Sequence, residues 1–221
     1  MKDLASYIDH TLLKADASAE AVRQLCREAR KYGFASVCVN SCRVAICVKA
    51  LGNSGVAVCS VVGFPLGAMD PGAKAFEAER ALEAGALEID MVMNIGAFKD
   101  GEYELVEEDI RRIRKVCGSR VLKVILETCL LTEEEIIRAC EISQRAGADF
   151  VKTSSGFSTE GATLENVALM RHTVGPSMGV KASGGVRSRE DALRMIVAGA
   201  SRIGTSSGVA IMREDTEARG R

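Results

Sequence analysis

Histidine and proline are scarce in this chain of 221 residues, and each scarcity removes a class of reading. Two histidines, His10 and His172, cannot supply a three-histidine catalytic zinc site. Only three prolines occur, and no low-complexity stretch or Ser/Gly-rich linker marks a domain boundary. Charge of one sign is missing too: the formal net charge is −1, and no basic stripe interleaved with aromatics appears, so no nucleic-acid partner is expected. No segment approaches the roughly 18 apolar residues of a membrane span. The start, Met1-Lys2-Asp3-Leu4, lacks the apolar stretch of a signal peptide. The expectation is a soluble, cytoplasmic protein without a membrane partner.

Cysteine is plentiful, yet Cys-x-x-Cys is absent. The tightest grouping of the eight cysteines is Cys38, Cys42 and Cys47, whose spacing matches neither zinc nor iron–sulfur patterns. Cys38 and Cys59 lie within the apolar runs Ser36-Val37-Cys38-Val39 and Ala57-Val58-Cys59-Ser60, where a reduced thiol serves as a small core side chain. Neither a metal nor another cofactor is expected.

What is present is enough apolar material, 47% of residues, for one substantial core. Short β-branched runs alternate with amphipathic stretches from end to end, the pattern of a parallel α/β fold. Strands are predicted over Tyr7 to His10, Phe34 to Asn40, Val56 to Gly63, Leu87 to Met93, Val121 to Glu127, Phe150 to Thr153, Met178 to Ser183 and Arg202 to Thr205. Helices are predicted over Ser18 to Tyr32, Ala73 to Ala84, Glu102 to Val116, Thr132 to Ala146, Leu164 to Thr173 and Arg189 to Ala198. Three joints repeat as Ala-Gly-Ala around Gly85, Gly147 and Gly199, where glycine suits the end of a helix. Eight strand–helix units match a single (β/α)8 TIM barrel over residues 1–212, followed by a charged, disordered tail over 213–221. An open doubly wound sheet is the rival, but the glycine-rich turn it needs after the first strand is missing.

Two lysines sit within apolar runs, in Phe150-Val151-Lys152-Thr153 and Gly179-Val180-Lys181-Ala182, each before a glycine-containing turn. A single such lysine could extend its ammonium into water. Two of them, 29 residues apart, fall on neighbouring strands and point to the same end of the sheet, where desolvation and mutual repulsion favour a neutral, nucleophilic amine. Asp9, Asp90 and Lys123 add charges to other strands. The turns after the last strands carry Gly156, then Gly184 and Gly185, then Ser206 and Ser207, a cradle of N–H groups and hydroxyls suited to phosphate. These residues support a metal-free enzyme forming a Schiff base between Lys152 or Lys181 and a small phosphorylated carbonyl compound, with Asp90 moving protons. The alternative is a phosphate-ligand-binding barrel in which the lysines only neutralise charge.

The motifs Ile8-Asp9-His10-Thr11-Leu12-Leu13-Lys14, Glu88-Ile89-Asp90-Met91-Val92, Leu122-Lys123-Val124-Ile125-Leu126-Glu127-Thr128, Phe150 to Phe157 and Val180 to Val186 together resemble the deoxyribose-phosphate aldolases. The resemblance implies reversible cleavage of 2-deoxy-D-ribose 5-phosphate into acetaldehyde and D-glyceraldehyde 3-phosphate, a step of deoxyribonucleotide catabolism. A class I aldolase for another small phosphorylated sugar is the nearby alternative. Lys152 would be the Schiff-base lysine, Lys181 the second lysine and Asp90 the acid–base aspartate, with Lys123 and Asp9 supporting. Gly156, Gly184, Gly185, Ser206 and Ser207 would contact the phosphate, and the chain would form a homo-oligomer, either a dimer or a tetramer. Some family members end in a tyrosine that reaches the site. The tyrosines here are Tyr7, Tyr32 and Tyr103, so the tail brings no such hydroxyl.

Overall fold

All eight expected strands form. In the computed structural model, which describes residues 3–219, they close into a parallel barrel in sequence order: β1 (Ile8–Leu12), β2 (Ser36–Val39), β3 (Ala57–Val62), β4 (Glu88–Val92), β5 (Val121–Ile125), β6 (Phe150–Lys152), β7 (Gly179–Ser183) and β8 (Arg202–Thr205). Pairing of β8 with β1 leaves no sheet edge. The helices are α1 (Ala19–Tyr32), α2 (Val44–Leu51), α3 (Pro71–Glu83), α4 (Ile95–Lys99), α5 (Tyr103–Cys117), α6 (Glu133–Arg145), α7 (Leu164–Val174), α8 (Arg189–Val197) and α9 (Gly208–Arg219). Tyr7 is corrected from the first strand to a short 3-10 turn, Leu4–Tyr7, and the strand runs on to Leu12.

Local chemistry explains the helix ends. The Ser18 hydroxyl accepts the Ala21 N–H at 3.1 Å to start α1, and Thr132 with Glu135 forms a reciprocal capping box on α6. Gly85, Gly147 and Gly199 follow α3, α6 and α8 with positive φ, as the repeated joints predict. Besides the helix at the end of the chain, two helices escaped the sequence reading for physical reasons. α2 is apolar except for Lys49 and shows no polar face, and α4 has five residues, too few for a period to register.

Alternation along the strands sorts their side chains into two sets. Ile8, Val37, Ile89, Met91, Leu122, Val124, Val151, Val180 and Ile203 pack with the helices in the main apolar core. Their neighbours Asp9, Ser36, Cys38, Cys59, Glu88, Asp90, Lys123, Lys152, Lys181 and Arg202 point the other way, into the barrel. An apolar shell thus surrounds a polar interior.

The tail departs from expectation. Instead of ending at Met212 with a disordered extension, the chain continues as α9 to Arg219; Gly220 and Arg221 lie outside the described residues. The reason is spacing: Ile211, Met212 and Asp215 share one helical face, and all three are buried. Asp215 accepts from the Arg189 guanidinium at 2.8 Å, and Glu214 accepts the Arg189 backbone N–H at 2.7 Å, capping α8. Truncation after Met212 is therefore expected to lower stability by about 1–3 kcal/mol, because it strands the Arg189 guanidinium and removes the acceptor of its backbone N–H, while the Ser188–Asp191 capping box of α8 remains. Chemical denaturation of the two forms measures this, and equal midpoints would show that the segment contributes nothing.

Candidate active site

Asp90 is the hub of the barrel interior. Its Oδ1 accepts from Lys123 Nζ at 2.8 Å and from Cys59 Sγ at 3.1 Å. Its Oδ2 accepts from both Lys152 Nζ at 2.9 Å and Lys181 Nζ at 2.8 Å. Lys181 Nζ also lies 2.5 Å from Asp9 Oδ2. Asp9 Oδ1 accepts from Ser36 Oγ and Arg202 Nη1, both at 2.6 Å. Glu88 closes the network, 2.5 Å from Lys123 and 3.3 Å from Arg202. Below it lies the Phe150 ring, with Lys123 Nζ 6.0 Å and the Arg202 guanidinium 5.6 Å from its centroid.

Register brings these groups together. Asp90 is level with Lys123 on β5, and Lys152 with Lys181 on β7. Glycine at position 204 makes room for the second lysine, because a Cβ there would sit 2.9 Å from Lys181 Cε. Four cationic side chains face three carboxylates, and all are buried except Arg202, which is partly exposed. For Asp9, Asp90, Lys123 and Lys181, burial opposes the charged form, but mutual attraction is larger. Burial works against ionised Asp9 and Asp90, yet Lys123, Lys181 and their neighbours hold both carboxyls well below the usual range. Burial likewise opposes the Lys123 and Lys181 ammonium groups, and the surrounding carboxylates outweigh it, so both lysines stay protonated far above the ordinary lysine range. Buried ion clusters of this kind are no more stabilising than apolar packing of equal volume, which favours a chemical role for this one.

Above the network, at the carboxyl ends of the strands, opens a cavity of about 300 Å³. Lys152 lines it, as do Gly156, Gly184, Gly185 and Ser206; Lys123, Lys181 and Asp90 do not. Ser207 lies outside the lining, and its N–H is taken by Thr205 Oγ1 at 2.9 Å in the turn that starts α9. Two further basic residues, Lys14 and Arg187, line the cavity and were missed from sequence. Both occupy turns directly after strands, the same position that singled out the glycines. Glu88 and Arg202 were also missed. Glu88 lies two residues before Asp90, so strand alternation alone puts it on the same face.

The loop carrying the chain away from Lys152 is clamped from β5. The Leu126 and Thr128 N–H groups donate to the carbonyls of Lys152 and Thr153, both at 2.9 Å, while Glu127 between them bulges out with φ 57°. This left-handed conformation is costly for a glutamate. It aims the buried carboxylate at the Ser155 N–H, which lies 3.2 Å from each of its oxygens.

Comparison with known proteins agrees with this geometry. Residues 4–218 match the model of the DeoC/LacD family aldolases. A deoxyribose-phosphate aldolase of Streptococcus gordonii is 59% identical over 213 residues, covering 96% of this chain and 97% of the relative. Among solved structures, the aldolase QR15 superposes with a TM-score of 0.95 at 43% identity, covering 99% of this chain and 98% of that one. The tetrameric deoxyribose phosphate aldolase of Aeropyrum pernix gives 0.91 at 40% identity, covering 97% and 92%. With its barrel, its lysine–aspartate hub and this likeness over nearly its whole length, the chain belongs to the DeoC/LacD family of aldolases.

Proposed function

We propose that the chain cleaves 2-deoxy-D-ribose 5-phosphate reversibly into acetaldehyde and D-glyceraldehyde 3-phosphate, through a Schiff base on Lys152. One observation carries the assignment: of the three lysines on Asp90, only Lys152 reaches the cavity. Lys123 and Lys181, held as ammonium ions, are not nucleophiles.

Neutral Lys152 Nζ adds to the C1 aldehyde of the open-chain sugar, and loss of water leaves an iminium. This cation draws the C2–C3 bonding pair toward itself as the C3 hydroxyl gives up its proton, so the bond breaks to an enamine and the departing aldehyde. Asp90 takes that proton by way of a water. Because its neighbours hold it so far below the usual range, it passes the proton on instead of keeping it. Lys181, bonded to the same Asp90 oxygen, keeps that carboxylate ionised, so the proton returns through the same water to the enamine carbon, and hydrolysis frees acetaldehyde. The glycine turns and Ser206 offer N–H and hydroxyl donors to the phosphate, and Lys14 and Arg187 supply positive charge.

A coupled assay for acetaldehyde release from 2-deoxyribose 5-phosphate is the primary test. A folded protein that binds this sugar phosphate without cleaving it, and that borohydride cannot trap with acetaldehyde, would leave only the binding-barrel reading.

The second lysine is expected to act through its charge. Its charge persists at every working pH, and it disfavours a second ammonium on the Asp90 oxygen that it shares with Lys152. Removing that charge relieves the repulsion between the two amine-bearing side chains on that oxygen. In Lys181→Met, the midpoint of imine formation with acetaldehyde is therefore expected to move to higher pH. An unchanged midpoint with weaker sugar-phosphate binding would instead assign Lys181 to substrate contact.

We infer also that the chain self-associates, supported by the tetrameric Aeropyrum pernix relative and by exposed Leu66, Phe76 and Val197. Light scattering that gives a monomer at micromolar concentration would overturn this.

A further inference from the structure

Cys38 and Cys59 are level with each other on β2 and β3, and both side chains point into the barrel beneath Asp90. The two sulfurs and an Asp90 oxygen lie within 4.8 Å of one another, and all three residues are buried. Cys59 Sγ is 3.1 Å from Asp90 Oδ1, and Cys38 Sγ is 4.0 Å from Oδ2. Around a tetrahedral cation with bonds of about 2.0–2.3 Å, adjacent ligand atoms stand roughly 3.3–3.8 Å apart, so small side-chain shifts would complete such a shell. The aldolase chemistry derived above uses neither thiol.

We propose that Cys38, Cys59 and Asp90 form an inhibitory site for a thiophilic divalent cation of the zinc and cadmium type. The surrounding lysines argue against a bare added charge, but the exchange adds none. The cation enters as two thiol protons leave to solvent, two metal–sulfur bonds form, and the net charge of the interior is unchanged with no redox step. Access is short: Leu13 lines the cavity and also packs in one cluster with Cys38, Cys59 and Val61. A cation on Asp90 competes with Lys152 and Lys181 for the same carboxylate, so occupancy stops turnover by taking away the hub of the network. The fourth coordination position stays open to water.

Cadmium is the probe, added to the reduced full-length chain in thiol-free buffer. One equivalent is expected to produce a thiolate-to-cadmium absorption band while aldolase activity falls in step, and a chelator should reverse both. Cys38→Ser and Cys59→Ser should each weaken cadmium binding by at least about tenfold, each judged against its own cadmium-free rate. Cys42→Ser, at an exposed thiol, and Cys26→Ser, at a buried thiol hydrogen-bonded to Cys47, should leave the band unchanged. A band of undiminished affinity in folded Cys38→Ser, or one that disappears with Cys26→Ser, would overturn the site. Should the site variants fail to fold, X-ray absorption of cadmium on the unsubstituted chain decides: two sulfur neighbours plus oxygen support the site, and an all-sulfur or all-oxygen shell refutes it. These binding readouts need no substrate, so they fail or succeed separately from the aldolase reading.

Discussion

Lys152→Ala is expected to lose turnover by at least about four orders of magnitude, roughly 5.4 kcal/mol of barrier. Neither neighbour can substitute. Lys181 is pinned between Asp9 and Asp90 and Lys123 between Glu88 and Asp90, and both are kept as ammonium ions away from the cavity. Reducing a mixture of the unsubstituted chain and acetaldehyde with borohydride should leave a two-carbon adduct on Lys152 alone, and Lys152→Ala should take up none. A peptide map with the label on Lys181 and an unmodified Lys152 would falsify the assignment. Prolonged chelation should leave the rate intact, whereas a loss restored by zinc would point to a metal as the electron sink.

Asp90→Asn is expected to cost both activity and stability. An amide oxygen cannot accept from three ammonium groups, and the change leaves buried positive charge in excess. Breaking a buried ion cluster from one side costs about 3–5 kcal/mol, which for a domain of this size is a fall in Tm of roughly 6–20 °C. Pairing the change with Lys123→Met should recover part of the stability, because it removes one stranded charge, without recovering turnover. Thermal unfolding and initial rates of the single and double variants measure the two effects independently. A single variant as stable as the parent would mean that water already solvates the hub.

Much of this was legible in the sequence, because parallel strands covered on both faces are apolar, and a charge inside one is conspicuous. Asp9, Asp90, Lys123, Lys152 and Lys181 stood out for that reason, and the structure brings all five into one network. Arg202 and Glu88 were hidden at strand starts, where a charge reads as the edge of a solvated loop. Cys38 and Cys59 were read as core thiols, and they are buried, but strand order alone does not show that both lie close to the Asp90 carboxylate. The end of the chain was misread because its charge masked a buried face. Within α9, Glu214 and Asp215 both find their partner in Arg189 of α8, and composition gives no sign of such a pairing.

The clamp at Glu127 divides the loop beyond the nucleophile into parts with different freedoms. Ser155 is tied to β5 through that glutamate, and further along, the Ala162 N–H is tied to the Gly184 carbonyl at 3.0 Å. Between these fixed points the exposed stretch from Phe157 to Glu160 lies at the rim of the cavity, held by the Phe157 N–H on Ser155 Oγ at 3.0 Å and by Cys129 Sγ on Ser158 Oγ at 3.3 Å. Phe157 reaches across that rim, its ring edge-on to Phe64 at 5.2 Å between centroids. Replacements there would reshape the entrance without moving the reactive amine, since neither anchor passes through them. Substitutions confined to these few rim residues are therefore expected to alter which aldehydes enter while the chemistry beneath stays fixed.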